Sequence, residues 1–348
     1  MKRFSKNSDL SPLPGLQWFK FFLAGFLTVA VLGCSPERPP PKTPLSETQK
    51  QFEKKCRDDY DMHVSTRMAG NTLWIYLPTQ EPIFDYEAQK ANSAEADRKP
   101  SKFAVQYVDG KFRSSRFVFE YDIVPRTKVK QEDYGYNSSY TDSYVKQQNN
   151  LFTAINDVFF NVKIEEVEPQ FIVFVITDIK KGIESRLTMY LQDFKRYMSG
   201  DLPPEEYQKR YLGDTKGGQS LIGDETGSHV QYTDVKMPEF LAKQIVNRIN
   251  FKFLHSDFPP PDKFDNTIVG IIADTLRYYK FEDYATVHVH NLRENNGIHE
   301  EKKLIFEKNQ LANFTEEEVD RPGKGRLIKI RFDKGNVKVS PSDEESSN

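Results

Sequence analysis

Phe171-Ile172-Val173-Phe174-Val175-Ile176 is apolar at every position. A strand with one wet face alternates apolar and polar residues. A run without alternation needs cover on both faces, so this segment predicts an interior strand of a sheet. Upstream, Leu151, Ile155, Val158 and Phe159 recur at helical spacing, and Val162-Lys163-Ile164 alternates. Downstream, Leu187, Leu191 and Phe194 predict a helix over about 183–198, and Pro203-Pro204 opens a second over 204–211. Gly213 to Asp234 is Gly-rich and polar and reads as a long mobile loop.

The same alternation of elements extends in both directions. Ser46 with Gln49 three residues on forms a capping-box pattern for a helix over 46–59. Met62, Val64 and Thr66 alternate, Met68 to Asn71 reads as a turn, and Leu73 to Leu77 reads as a second strand that Pro78 stops. Residues 80–101 show no period. Strands at 103–107 and 117–124 flank an Asp109-Gly110 turn signal, and a Tyr- and Ser-rich loop covers 127–141. The last third predicts helices at 238–249 and 265–280, strands at 285–290 and 304–306, and a terminal hairpin (326–332 and 336–340) around Asp333 to Asn336. The pattern is that of an α+β fold, helices packed on antiparallel sheet, over one domain at 46–340. A subdomain break is placed near 213–236, and 341–348 is an acidic tail.

Shifting the chain by 98 residues lays Met62, Val64, Thr66, Leu73, Ile75 and Leu77 on Phe160, Val162, Ile164, Phe171, Val173 and Val175. Either helix–strand–strand modules repeat, with a third at 265–307, or two half-buried hairpins have been slid into register by their period of two.

Near the N-terminus, Lys2, Arg3, Lys6 and Lys20 precede the apolar run Phe21 to Gly33, which ends Val31-Leu32-Gly33-Cys34. A membrane span needs roughly 20 apolar residues, and this run has the length of a secretory signal core. It resembles the signal of bacterial lipoproteins. That resemblance implies removal of residues 1–33, acylation of Cys34 as the new N-terminus, and membrane lipid as the partner of that cysteine. Ser35, in the place where Asp signals retention in the inner membrane, implies the outer membrane where the host has one, with the body on the periplasmic side. Residues 34–45 then form a tether. Ser35 to Leu45 carries five prolines in eleven residues, and in polyproline II at about 3.1 Å per residue it would span roughly 30 Å.

Of 49 basic and 51 acidic side chains, four basic (Lys2, Arg3, Lys6, Lys20) and one acidic (Asp9) fall in residues 1–33, leaving a net charge of −5 on the rest. No Lys/Arg block stands out, which argues against a nucleic-acid partner. Mean hydropathy of −0.67 leaves no further candidate span. With Cys34 acylated, Cys56 is the remaining cysteine and no intramolecular disulfide can form. Phe52 and Tyr60, four residues either side, place Cys56 on the apolar face of its helix, as a core residue.

No arrangement of residues identifies a reaction. His288-Val289-His290 puts two imidazoles on one face of a strand, with His299 across a loop, but Asp283 and Glu282 are not specifically placed as ligands. Val287 and Val289 would face the core, so both histidines are expected on the solvent side and no metal is assigned. Gly218-Gln-Ser220-Leu-Ile-Gly223 has one residue too many for a nucleophile elbow, and Asp58, Asp59 and Asp61 lack the spacing of a calcium loop. Tyr134, Tyr136, Tyr140 and Tyr144 form an aromatic cluster suited to recognition. The sequence therefore predicts a non-enzymatic, lipid-anchored envelope protein acting as a binding or assembly module, without cofactor. The alternative is an envelope hydrolase, metal-dependent or not, whose site is assembled from distant positions.

Overall fold

In the computed structural model the apolar run becomes a strand buried at every residue, in the middle of a five-stranded sheet. The residues described are 42–85, 103–125, 139–165, 168–254, 263–295, 298–314, 326–333 and 336–341. Residues 1–41, which include Cys34 and the apolar run before it, Tyr134, Tyr136 and residues 342–348 lie outside them.

In chain order the elements are β1 (Lys42–Thr43), α1 (Leu45–Tyr60), β2 (Ser65–Ala69), β3 (Thr72–Thr79), β4 (Phe84–Asp85), β5 (Phe103–Arg113), β6 (Arg116–Pro125), β7 (Ser139–Tyr140), α2 (Asp142–Phe159), β8 (Lys163–Ile164) and β9 (Phe171–Asp178). They continue with β10 (Ile183–Tyr190), α3 (Leu191–Met198), α4 (Pro204–Tyr207), β11 (Leu212–Gly217), α5 (Met237–Leu254), α6 (Phe264–Tyr278), β12 (Thr286–Asn295), β13 (Ile298–Glu307), α7 (Lys308–Ala312), β14 (Arg326–Asp333) and β15 (Asn336–Pro341). The fold is α+β. The first sheet runs β11-β10-β9-β3-β2 and the second β15-β14-β13-β12-β6-β5. Each holds one parallel pair, β3 with β9 and β6 with β12, among antiparallel neighbours.

One face of the first sheet packs under α1 and α2. Phe52 and Cys56 of α1 and Leu151, Ile155 and Phe159 of α2 meet Leu73, Ile75, Ile172, Phe174 and Leu187. Cys56 is fully buried, and burial raises its thiol pKa to about 12, so it is an inert core group. The second sheet packs Phe117, Phe119, Val287 and Val289 against Leu241 and Ile245 of α5 and Ile268 and Ile272 of α6. Phe240 of α5 also meets Phe171, ring centroids 5.0 Å apart, so this helix joins the two sheets.

Several sequence expectations fail for identifiable reasons. Residues 183–190 form a strand. The spacing of Leu187 and Leu191 fits a helix, but Ser185, Leu187 and Met189 alternate inward, and the ladder with β9 is complete from Ile183 to Tyr190. The second predicted helix is reduced to Pro204–Tyr207. Leu212–Gly217, expected in a loop, pairs with β10. The turn between β5 and β6 is not at Asp109-Gly110 but at Ser114-Ser115, both with positive φ; two such residues make the turn whose twist suits a hairpin. Gly110 stays in β5, where an added Cβ would lie 2.9 Å from the Ala242 carbonyl of α5. Pro78 does not stop β3, which continues to Thr79. At α1, Ser46 is inside the helix: the Pro44 carbonyl accepts from the Glu47 and Thr48 amides and no side-chain cap forms. Lys42–Thr43, read as tether, pairs with β8.

The 98-residue shift is out of register by one. Thr72 pairs with Phe171, so a shift of 99 superposes β3 on β9 and the end of α1 on the end of α2. A single-residue slip exchanges the two faces of a strand. Leu73, Ile75 and Leu77 face the helices together with Ile172, Phe174 and Ile176, not with Phe171, Val173 and Val175. The first strand of the module also differs, because β8 pairs with β1 while β2 pairs with β3.

Candidate functional site

The second face of the first sheet is not covered by helices alone. Trp74 and Tyr76 of β3 and Val173 and Val175 of β9 lie beneath the chain at 222–236, with Val230 buried and Tyr232 half-buried against them. This covering segment has little regular structure, so its polar groups must find partners in the sheet. The Trp74 indole donates to the Thr233 carbonyl at 2.9 Å, and the Val235 amide donates to the Thr72 hydroxyl at 2.8 Å. The Asp234 carboxylate accepts from the Asn71 amide at 2.9 Å, and Tyr76 donates to the Asp224 carbonyl.

The strongest lock is Glu184–His229–Asp224. The His229 ring sits edge-on to Tyr76, with Nδ1 2.5 Å from Asp224 Oδ2 and Nε2 2.5 Å from Glu184 Oε2. Asp224 also accepts from the amides of Thr226, Ser228 and His229. Burial alone would raise its pKa; the hydrogen bonds from His229, Ser228 and Thr226 outweigh that and hold it well below the ordinary carboxylate value. Glu184 follows the same logic. Burial pushes it up, and the His229 hydrogen bond with the Arg186 and Lys216 charges brings it below its ordinary value. Both ring nitrogens are committed to carboxylates, so the ring directs no lone pair at a substrate, as a general base must. The triad pins the covering segment onto β10.

Beside this lock the cover opens into a cleft of about 430 Å³, lined among others by Trp74, Arg186, Leu212, Asp214, Glu239 and Lys243. That is within the range of roughly 300–1,000 Å³ typical of ligand pockets. The Arg186 guanidinium lies 5.3 Å from the Trp74 ring, and its Nη2 donates to Glu184 Oε1 at 2.9 Å. Its Nε is buried with no acceptor among the described residues. Two lining carboxylates are engaged within the protein, Asp109 with Lys111 and Asp234 with Lys236. Asp214, Glu239 and Lys243, all exposed, have no hydrogen-bond or ion-pair partner among the described residues.

Two other buried polar clusters join elements rather than open to solvent. Asp193 of α3 meets Arg210 at 3.2 Å and the hydroxyl of Tyr279; burial raises its pKa despite these partners. Asp265 of α6 accepts from Asn291 at 2.8 Å, from Lys302 at 2.6 Å and from Tyr121. Burial would push Asp265 up, but Lys302 and Tyr121 outweigh it and lower its pKa.

The histidines and Ser220 singled out from the sequence do not converge on one site. His288 is not on a wet surface: it is 9% exposed, between Val118 and Ile305 on the neighbouring strands. Its ring is 6.3 Å from that of His290. His299 pairs with Glu294, four residues beyond His290 along β12, which is about 14 Å. No group of three or more potential metal ligands occurs among the described residues. Ser220 lies in a short 3-10 turn, Gln219–Leu221. Tyr144 is buried, its hydroxyl 2.7 Å from Ser185 Oγ, and Tyr140 stacks on it at 4.6 Å.

Glu184, Arg186, Asp224 and His229 went unrecognised in the sequence. The signal for the first two was present: Glu184, Arg186 and Thr188 alternate against Ser185, Leu187 and Met189, which marks a strand with a polar face. No protein-family model, curated protein or solved structure matches this chain.

Proposed function

We propose that this chain is a non-enzymatic, lipid-anchored envelope protein, held by acyl chains on Cys34 at the periplasmic side of the outer membrane where the host has one, and that its body binds a partner in the cleft beside Trp74. The run ending Val31-Leu32-Gly33-Cys34 supports the address. No helix among the described residues is long and apolar enough to cross a membrane. The observation that carries the binding reading is the cleft itself. Its lining holds a guanidinium fixed by Glu184 and Trp74 and charged groups without a partner among the described residues, and the segment beside it is pinned by a histidine with both nitrogens occupied. Such a site is organised to hold a ligand and presents no activated nucleophile to it.

Two measurements test this. Cys34→Ala is expected to abolish acyl labelling and retain the unprocessed mass; unchanged labelling would remove the lipid anchor from the reading. A photo-crosslinking phenylalanine analogue at Val246, in the cleft lining, is expected to give a discrete adduct in intact cells. The same analogue at the exposed Lys50 should give none. Equal yields at the two positions would defeat the cleft as the binding surface.

A further inference from the structure

Arg186 distinguishes the cleft from an ordinary polar surface. Its guanidinium is oriented on one side by Glu184 Oε1 and lies near the Trp74 ring, yet Nε is buried with no acceptor among the described residues. A buried donor left without an acceptor destabilises its surroundings, so the site favours a ligand that brings an acceptor there. The charges around it narrow the choice. Lys243 adds a second cation to the lining, and Asp214 and Glu239 add two carboxylates with no partner among the described residues. A phosphate dianion would be attracted by two cations and repelled by those carboxylates together with Asp109 and Asp234. A single carboxylate followed by a chain of N–H donors satisfies both halves of the lining.

The cleft wall also includes Leu212, Gly213 and Asp214 of β11. That strand pairs with β10 on one side and is the edge of its sheet among the described strands. An edge strand offers main-chain donors and acceptors at the spacing of another extended chain. We propose that the cleft receives the C-terminal segment of an extended peptide, its terminal carboxylate on Arg186 and Lys243 and its amides facing Asp214, Glu239 and the β11 main chain. This rests on the reading of the cleft as a binding site and names the chemistry of its occupant.

The test uses the full-length protein in detergent and two pools of random hexapeptides, one with free C-terminal carboxylates and one with C-terminal amides. Retention is measured by equilibrium dialysis and mass spectrometry. The free-carboxylate pool is expected to be retained at least tenfold more than the amides. Arg186→Gln should abolish that preference, and Lys243→Gln, at an exposed position, should reduce it about threefold without touching the fold. Arg186→Lys, which keeps the charge but not the planar fork, should restore part of it. Equal retention of the two pools overturns the proposal, as does an undiminished preference in both Arg186→Gln and Lys243→Gln, or binding of inorganic phosphate with no retention of either pool. Should Arg186→Gln fail to fold, the pool comparison and Lys243→Gln still decide. A Val246 adduct without peptide retention would spare the binding reading and sink this one; absence of both would sink both.

Discussion

The two sheets are built to the same plan and finished differently. In each, a hairpin (β2–β3 or β5–β6) is followed by a long excursion, and the chain returns parallel to the second hairpin strand before continuing as antiparallel neighbours. The first sheet has cover on both faces of its central pair, helices on one and the segment 222–236 on the other. The second packs one face of its central strands against α5 and α6, and leaves Val118, Glu120 and His290 half-buried on the other. Helical cover needs few specific contacts because helices satisfy their own main chain. Cover by irregular chain depends on side chains of the sheet, here Trp74, Thr72, Tyr76 and Glu184. The cleft opens on that dependent side, so the site and its polar locks share one physical origin.

The sharpest way to break the comparison is to charge equivalent positions on the two sheets. Val173, fully buried on β9, and Val118, half-buried on β6, both lie on faces turned away from the packed helices of their own sheet. Val173→Asp is expected to cost about 4 kcal/mol, as an unpaired buried charge. Val118→Asp should cost about 1 kcal/mol or less, since its carboxylate can reach water. Urea unfolding of the two variants measures both. Similar losses would mean that the second sheet is as closed as the first.

How far the sequence exposes this architecture depends on the length scale of the signal. The run at 171–176 marks its strand as interior because both faces are apolar, and the helices α2, α5 and α6 are legible because their signals too lie within a single local segment. Strand β10 was missed because Leu187 and Leu191 fit both periods, and only the pairing with β9 chooses. The lock was invisible because Glu184 and His229 lie 45 residues apart, and no local pattern requires them to meet. Segment 213–234 reads as mobile because glycines and polar residues suggest exposure. Here Gly227, with φ +71°, lies so near the Tyr76 ring that an added Cβ would be 2.9 Å from it, so glycine marks close packing.

Acid should loosen the first sheet through its lock. Asp224 and Glu184 have folded pKa values below their ordinary ones. Such groups add stability above the unfolded carboxylate value of about 4, and that stability is lost as pH falls through the lower folded values. Asp224→Asn is therefore expected to lower stability by about 2 kcal/mol at pH 7, with the gap to the parent protein narrowing below pH 4. Unfolding midpoints between pH 2.5 and 7 measure it. A gap that stays constant down to pH 2.5 would show that Asp224 acts through shape rather than charge. Because Asp265 is also lowered, by Lys302 and Tyr121, the Asp224→Asn variant should itself keep an acid transition.

The second sheet should respond in a different window, and His288 sets it. Burial is the largest influence on this imidazole, followed by the positive charges of Arg116 and Lys303 and by His290, and together they lower its pKa from the usual 6.5 to about 4. The neutral ring is the form that fits between Val118 and Ile305. The unfolded chain, with its ordinary value, binds a proton first as pH drops. Stability tied to His288 is therefore complete above about pH 6.5 and declines toward pH 4, before the carboxylates of the first sheet begin to titrate. Since the ring is not wholly enclosed, the expected slope amounts to about 1 kcal/mol over that window, less than the full shift would imply. His288→Asn removes the titrating group, so its stability should be flat between pH 6.5 and 4 while the steeper loss below pH 4 remains. A variant that keeps the parent slope would assign this window to other groups and remove the separation between the two sheets. The same protein supplies a check on chemistry: His288→Ala with His290→Ala should leave the content of bound metal unchanged, because no group of three or more potential metal ligands forms among the described residues. Stoichiometric zinc, manganese or iron in the parent that disappears in the double variant would turn the half-covered face of the second sheet, not the cleft of the first, into the place to look for function.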